Sequence, residues 1–301
     1  MMNLFEAKGI RPMLLTERRE PIESAGWLSE LKLDGIRCIA YLRPGETDLR
    51  NKRNLLLLPG FPELNGLHEG VRVPCILDGE LIIAGADGKP DCAALQARSM
   101  MSDLSRIRLA SRQSPASYVA FDILFRDGND LTVLPLLARK RILQETVSER
   151  GALAVSRTIE GSAKALFDLT GEQCLEGIVQ KRKESLYHPG RRSPDWVKVK
   201  NLVDEDFLAC GYIAKDEQIT SLVLGSMHST PHYQGHVTLG VSRNAAERFS
   251  TTLNCPFDAI PPGCEGAVWY RDPPVCTVVY MERTRAGGMR QARFKGFRMD
   301  H

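Results

Sequence analysis

The stretch Glu30-Leu31-Lys32-Leu33-Asp34-Gly35-Ile36-Arg37 alternates charged and apolar residues up to an Asp-Gly pair. Such alternation is typical of a strand, and Asp-Gly is typical of a tight turn. We therefore predict a strand end that runs into a turn at Asp34-Gly35. Because side chains alternate along a strand, Glu30, Lys32 and Asp34 would point to one face. A lysine held there is either one half of a solvated ion pair or a nucleophile, and the rest of the chain decides between them.

Length and composition are those of an ordinary globular protein. The chain has 301 residues, which is typical of two domains or one large one. It is 43% hydrophobic and 26% charged, and no apolar run is long enough to span a membrane. Residues 1–8 lack the pattern of a signal peptide, so we predict a cytoplasmic protein with no membrane partner. The net charge of +3 permits nucleic-acid binding but does not argue for it.

Neither a disulfide framework nor a structural metal site is indicated. The eight cysteines are scattered, and none forms a Cys-x-x-Cys pair, so we predict that all are reduced and mostly buried. His228, His232 and His236 recur every fourth residue. Gly225 and Pro231 would break a helix there, which favours a hairpin over a set of metal ligands.

The pattern of secondary structure changes near Val203. Before it, strand-length apolar runs alternate with helical spacing, and the predicted helices begin at 62 and cover 93–109, 136–150 and 162–170. Beyond it, short strands follow closely, with one helical patch at 244–253, which is typical of a small closed barrel. The predicted strands are 38–42, 75–83, 118–125, 177–181 and 196–200, then 207–213, 221–225, 235–241, 266–269 and 275–281. We predict an α+β fold with domains 1–203 and 204–301.

Several predicted strands carry charges where a purely structural strand would be apolar. The residues are Lys32, Arg37, Arg53, Glu80, Asp122, Glu176, Lys198 and Lys200, with the ring of Phe121 among them. Cations would neutralise a polyphosphate, carboxylates would hold Mg²⁺ through oxygen ligands, and the ring would stack on a nucleobase. A lysine attacks only as the free amine, a form that nearby cations favour. We expect Lys32 to attack the α-phosphorus of ATP and form a lysyl-adenylate.

The same residues fall into six ordered motifs. They are Lys32-Leu33-Asp34-Gly35-Ile36-Arg37, Arg53, Asp78-Gly79-Glu80, Phe121-Asp122-Ile123-Leu124, Glu176-Gly177-Ile178-Val179 and Lys198-Val199-Lys200. The set resembles the motifs of covalent nucleotidyltransferases, which include ATP-dependent DNA ligases, RNA ligases and mRNA capping enzymes. Six motifs in order favour the nucleophile over the ion pair for Lys32. Further stretches resemble the bacterial end-joining ligases D and C: Arg11-Pro12-Met13-Leu14, 187–200, 233–240, 269–275 and 294–300.

The resemblance implies both a fold and a set of roles. The fold is an antiparallel-sheet nucleotidyltransferase (adenylation) domain followed by a small OB-fold β-barrel. Lys32 would be the adenylated nucleophile, Glu30 would read the adenine amino group, and Phe121 would stack on the base. Glu80 and Glu176 would hold the metal, Mg²⁺ or Mn²⁺. The implied nucleotide-binding residues are Glu30, Leu31, Lys32, Arg37, Arg53, Glu80, Phe121, Lys181, Arg192, Lys198, Lys200 and Arg298.

The last family motif departs from its usual form. Arg298 and Asp300 match it, but His301 stands where a lysine or arginine is expected. Histidine is only partly charged near neutrality, so self-adenylation would be less efficient.

For other charged residues a structural role is the prediction. Asp34 and Asp78 would hold turns or partners in place, and Asp122 would be a buried hydrogen-bond partner rather than a metal ligand. The run Arg139-Lys140-Arg141 would be a solvated helix face, with contact to DNA phosphate as the alternative.

The implied function is that of an ATP-dependent DNA ligase acting in repair or end joining. It would seal 5′-phosphate/3′-hydroxyl nicks in duplex DNA as a monomer. A DNA end-binding protein or another repair factor is a candidate partner. The alternatives are an RNA ligase, a capping guanylyltransferase, which Glu30 argues against, and a non-catalytic nucleic-acid-binding relative, which His301 suggests.

Overall fold

The chain divides into two units, Met1–Asn201 and Leu202–His301. The computed structural model describes residues 4–214, 220–228, 230–283 and 287–298. The first unit contains α1 (Leu4–Ala7), β1 (Leu14–Arg18), β2 (Trp27–Leu31), β3 (Ile36–Arg43), β4 (Glu46–Asn51), a 3₁₀ helix (Pro62–Gly70), β5 (Cys75–Ile83), α2 (Cys92–Ser99), α3 (Leu104–Gln113), β6 (Ala116–Arg126), β7 (Asn129–Asp130), α4 (Leu136–Thr146), β8 (Leu153–Val155), α5 (Ala163–Glu172), β9 (Gly177–Arg182) and β10 (Arg192–Lys200). The second contains β11 (Val203–Ala214), β12 (Thr220–Gly225), β13 (Tyr233–Val237), α6 (Arg243–Ala246), β14 (Thr251–Thr252), β15 (Val268–Tyr270), β16 (Val275–Tyr280) and β17 (Arg293–Phe297).

The lysine stretch joins β2 to β3, as the alternation and the Asp-Gly pair predict. The strand ends at Leu31, however, and residues 32–35 form the connection. Lys32 and Asp34 therefore do not continue the strand face of Glu30, which corrects the expectation that all three share it. The nucleophile candidate stands on the first residue after a strand rather than within one.

Two sheets form the frame of the first unit. The smaller has the order β1-β10-β9-β2, in which β1 runs parallel to β10 and the other pairs are antiparallel. The larger has the order β4-β3-β5-β6-β7, all antiparallel, and β8 joins β6 in parallel. Helices pack around these mainly antiparallel sheets, so the predicted α+β class is confirmed.

The central strands of the larger sheet, β3, β5 and β6, are largely buried on both faces, which is why most of their residues are apolar. In β3, Ile39 and Tyr41 enter a core that includes Trp196 of the smaller sheet, so the two sheets pack against each other. The intervening Cys38 and Ala40 enter a second core on the opposite face. Because successive side chains of a strand alternate, a strand buried on both faces needs apolar residues at every position.

Three predicted helices differ from the observed ones in extent, and one of them, 244–253, is helical only where it overlaps α6 and ends with β14. The stretch 93–109 forms α2 and α3, because the Asp103 carboxylate accepts a hydrogen bond from the backbone N–H of Arg106 and caps a new helix. The stretch 136–150 is helical only as far as the end of α4. Its next residue, Val147, has extended backbone and bridges to a different part of the chain.

The second unit is a barrel centred on the long strand β11. One end of β11 pairs with β16, and its other end pairs with β12 and β15. The neighbours continue to β13 on one side and β17 on the other. A parallel bridge between Leu239 and Arg293 joins these two sides. The path β13-β12-β11-β16-β17 therefore closes on itself, and the predicted small OB-like barrel is confirmed.

All eight cysteines are free, and most are buried, as predicted. Within the described ranges, no helix has the length and apolar character needed to cross a membrane.

Candidate active site

Glu176 joins two lysines from separate motifs. Its Oε2 accepts a hydrogen bond from Lys32 Nζ at 2.6 Å, and its Oε1 lies 3.0 Å from Lys200 Nζ. The carboxylate is buried, whereas both lysines keep some exposure. Main-chain contacts fix the arrangement, since the N–H of Lys32 donates to the carbonyl of Gly177, which is the register partner of Lys200. The structure thus brings together residues from three of the six motifs.

Two motif glycines allow these backbones to approach closely. Gly177 has φ +133°, and a Cβ there would overlap the carbonyl of Val199. A Cβ on Gly35 would overlap the carbonyl of Leu81 and press on the side chain of Glu80. These positions therefore require glycine for reasons of space around the site.

Glu80 lies on β5, opposite Arg37 on β3. Burial raises the pKa of Glu80 to about 7, against the lowering effect of Arg37 and Lys32. The carboxylates of Asp78 and Glu176 also raise it, which places Glu80 within electrostatic reach of Glu176. Near neutrality Glu80 therefore exchanges a proton readily.

The carboxylates of Glu80 and Glu176 fit a divalent cation. Burial is the main cause of the raised pKa of Glu80, and a bound cation would relieve the smaller contribution, which is repulsion from Asp78 and Glu176. Within the described residues, no group of three or more His, Cys, Asp or Glu side chains is placed to hold a metal ion. The two carboxylates of Glu80 and Glu176 suit Mg²⁺, which is usually held by one or two carboxylates and completes its shell with water and phosphate oxygens.

Asp78 fixes the position of the Arg37 side chain. Its two carboxylate oxygens accept bonds from Arg37 Nε and Nη2, both at 2.6 Å. The Tyr187 hydroxyl donates to Oδ2 of Asp78, also at 2.6 Å. The guanidinium then lies over the ring of Phe121, 4.5 Å from its centroid. Asp78 is fully buried, so these contacts give it the structural role predicted for it.

Phe121 lies between cations. Besides Arg37, the ring contacts Lys181, whose Nζ is 4.3 Å from the centroids of both Phe121 and Trp196. Phe121 and Trp196 are themselves packed edge to face. The ring predicted to stack on the base is 8% exposed, and Trp196 is fully buried in the core.

Glu30 is the centre of a second charged group. Its carboxylate accepts bonds from Lys181 Nζ at 3.1 and 3.2 Å and from Ser156 Oγ at 3.0 Å. Lys140 Nζ lies 2.5 Å from Oε1. Burial opposes ionisation, but the two lysines outweigh it and hold the pKa of Glu30 below its usual value. Burial also lowers the pKa of Lys181 to about 8. Lys181 is thus a buried ion-pair partner of Glu30.

The prediction that Arg139-Lys140-Arg141 forms a solvated face is wrong for its first two residues. Arg139 is fully buried and donates from Nε and Nη2 to the two oxygens of Asp122, both at 2.9 Å. Lys140 is buried beside Glu30. Asp122 is thus a buried hydrogen-bond partner, as predicted. A run of basic residues on a helix does not predict that the helix packs against buried acidic residues of other elements.

The remaining predicted residues lie apart from the Glu176 contacts. Leu31 is 41% exposed at the end of β2, and Arg53 is exposed in the turn after β4. Arg192 is exposed and donates to the carbonyl of Leu15. Lys198 pairs with Glu17 at 3.0 Å, although it shares a strand with Lys200.

In the second unit, Arg298 Nη1 pairs with Asp206 at 2.9 Å. Asp300 and His301, on which the predicted loss of self-adenylation rests, lie outside the described residues.

Known proteins resemble the whole length of this chain. Residues 12–200 match the family described as ATP dependent DNA ligase domain, and residues 215–301 match the ATP dependent DNA ligase C terminal region. The SPbeta prophage-derived DNA ligase-like protein LigB of Bacillus subtilis is 34% identical over 207 residues, which are 69% of this chain and 73% of that protein. The multifunctional non-homologous end joining protein LigD of Pseudomonas aeruginosa is 30% identical over 292 residues, 91% of this chain and 34% of that protein.

A solved structure supports the same relationship. The crystal structure of the ligase domain from M. tuberculosis LigD is 26% identical and superposes with a TM-score of 0.56, covering 96% of this chain and 95% of that one. The full-length LigD relatives are longer, and this chain spans between 34% and 47% of their length.

Proposed function

Because the chain belongs to the ATP-dependent DNA ligase family, we propose that it seals nicks between a 5′-phosphate and a 3′-hydroxyl in duplex DNA. The covalent intermediate is a lysyl-adenylate on Lys32. The observation that carries the proposal is the contact of Lys32 Nζ with Glu176 Oε2 at 2.6 Å, beside Lys200. A lysine at a strand end, paired with a buried carboxylate and next to a second cation, suits attack on a phosphate.

In the first step, Lys32 Nζ forms a bond to the α-phosphorus of ATP, and the bond from that phosphorus to pyrophosphate breaks. The amine must lose its proton, and Glu176 Oε2 is the acceptor within reach. Lys200 and Lys198 supply positive charge for the phosphate oxygens, where most of the catalysis of phosphoryl transfer lies. The family resemblance gives Arg298 the proposed role of orienting the leaving pyrophosphate.

Nucleotide recognition falls to residues around this centre. Glu30 accepts a hydrogen bond from the adenine amino group, and Phe121 stacks on the base. Arg37 is already oriented by Asp78 towards the ring of Phe121. The other proposed contacts to nucleotide or nick are Leu31, Arg53, Glu80, Lys181 and Arg192.

Glu80 and Glu176 would hold Mg²⁺ or Mn²⁺, which would neutralise charge on the phosphate oxygens when bound. Glu80 must be ionised to do so. Because its pKa is raised to about 7, a modest rise in pH above neutrality prepares it for the metal.

Two further transfers complete sealing. The AMP passes from Lys32 to the 5′-phosphate of the nick, and the 3′-hydroxyl then displaces AMP to form the phosphodiester. The resemblance to proteins named for non-homologous end joining supports a role in DNA repair by end joining. In that setting we propose a cytoplasmic monomer that works with a DNA end-binding protein.

The test is covalent labelling with ATP carrying a radioactive α-phosphate, in the presence of Mg²⁺. The wild-type chain should take up label and Lys32→Ala should not. Both should be tried on a nick that already carries 5′-AMP, where Lys32 is no longer needed as nucleophile. The proposal fails if the wild-type chain neither takes up label nor seals the adenylated nick. Labelled GTP and RNA-containing nicks separate it from a capping enzyme and from an RNA ligase.

A further inference from the structure

Lys140 is a buried cation that the proposed reaction does not use. It lies on α4 and is 7% exposed. From that helix its Nζ reaches Oε1 of Glu30, which lies on β2 just before the Lys32 connection. Within the described part of the chain, Lys140 has no ion-pair partner other than Glu30.

A purely structural explanation of Lys140 is weak. Its neighbour Arg139 is a buried cation with a structural role, since its guanidinium donates hydrogen bonds to Asp122 and to two main-chain carbonyls. Glu30, in contrast, already receives bonds from Lys181 and Ser156. One lysine suffices to neutralise one carboxylate, so the second leaves excess positive charge inside the fold. Such charge is costly to bury, and a role in the site explains its presence.

We infer that Lys140 is a positioning residue for base selection: with Lys181 and Ser156 it keeps Glu30 ionised and fixed in one orientation. The inference rests on the proposed function, in which Glu30 reads adenine. An ionised carboxylate can only accept hydrogen bonds. It therefore favours the 6-amino donor of adenine and repels the 6-oxo acceptor of guanine. A protonated or rotated carboxyl loses this discrimination, because its O–H can donate to guanine.

Three donor groups hold the Glu30 carboxylate. A carboxylate offers about four acceptor positions, and four contacts engage it, because Lys181 reaches both oxygens, Ser156 reaches Oε2 and Lys140 lies beside Oε1. The donors approach from α4, from β9 and from the segment after β8, which fixes the carboxylate from several directions. The adenine amino group would therefore share an oxygen with one of these donors or take its place.

The experiment compares Lys140→Met with Lys164→Met in the full chain. Lys164 is an exposed lysine of α5 that pairs with Asp168, so it controls for loss of a positive charge. The readouts are covalent labelling by ATP and by GTP, each resolved into KM and kcat, and sealing of a pre-adenylated nick. Lys140→Met should lower the preference for ATP over GTP by about tenfold or more, mainly through KM for ATP. Sealing of the pre-adenylated nick should stay close to wild type, and Lys140→Arg should restore selectivity.

Three outcomes would overturn the inference. Unchanged selectivity in Lys140→Met would do so, and so would an equal loss of labelling and of pre-adenylated nick sealing, which indicates general damage to the fold. If Lys140→Met does not fold, Ser156→Ala removes a neutral donor from the same carboxylate and should also reduce selectivity; unchanged selectivity there refutes the inference. Absence of both labelling and pre-adenylated nick sealing in the wild-type chain would instead refute the proposed function.

Discussion

Lys32 Nζ and Lys200 Nζ are bound to opposite oxygens of one carboxylate, that of Glu176, at 2.6 and 3.0 Å. This relationship joins the connection after β2 to the end of β10 through a single buried group. It sets the position of Lys32 Nζ, the amine proposed to attack ATP, relative to a second cation.

Replacing Glu176 by glutamine should slow covalent labelling by ATP by about a hundredfold or more, because the amine loses its proton acceptor. The amide keeps the size of the side chain but leaves two lysines facing a neutral group. The measurement is the initial rate of AMP uptake, with the folded state checked by thermal unfolding. Glu160→Gln, which alters an exposed pair with Lys183, is the matched control. A labelling rate equal to wild type in Glu176→Gln would contradict this role.

Gly35→Ala should damage both stability and labelling. A Cβ at this position overlaps the carbonyl of Leu81 and pushes on the side chain of Glu80, so the strand pair must separate. Overpacking of this kind costs about 1–3 kcal/mol. Urea unfolding and AMP uptake should be measured together. Gly26→Ala is the control, since its Cβ would meet only the Ser24 hydroxyl at 3.7 Å. If both variants behave alike, steric exclusion is not why this motif contains glycine.

Arg139→Met should destabilise the first unit by about 3–5 kcal/mol, because it leaves the fully buried Asp122 carboxylate without its counterion. Thermal unfolding should show this loss of stability, whether or not covalent labelling is affected. Lys164→Met, which removes an exposed pair with Asp168, should leave stability unchanged within error. A mild effect of Arg139→Met would mean that Asp122 is neutral or reaches water.

Local patterns predicted much of this fold. The alternation and the Asp-Gly pair placed the strand and turn around Lys32, and the strand predicted at 75–83 matched β5 residue for residue. These features depend on neighbours in sequence, because strand periodicity and turn chemistry are local properties. The motifs also identified Glu176 and Lys200, which the structure places on either side of one ion pair.

The charged interior could not be predicted in the same way. Arg139 and Lys140 occur within a run of basic residues that is typical of a solvated helix. Their partners, Asp122 and Glu30, lie on two different strands, β6 and β2. Nothing local to the helix indicates that it packs against buried acids, since such pairing is decided by the packing of helix against sheet. The parallel pairing of β1 with β10, far apart in sequence, is of the same kind.

The raised pKa of Glu80 predicts a stability that depends on pH. Its value rises from an ordinary 4.5 to about 7, chiefly through burial. Between these two pH values the folded state holds a proton that the unfolded state has released. Stability therefore falls as pH rises through this window. Glu80→Gln removes the effect, and without metal it should be more stable than wild type at pH 8, by up to about 3 kcal/mol.

The same variant should show little gain at about pH 4.5, where Glu80 is protonated in the folded state and half protonated in the unfolded state. Unfolding by urea at the two pH values, in chelator, measures the difference directly, and Glu160→Gln again provides an exposed control. Covalent labelling by ATP should be slower in Glu80→Gln than in wild type, because the neutral amide cannot help to hold a divalent cation. A stability gain of the same size at both pH values would show that packing, rather than ionisation of Glu80, is its source.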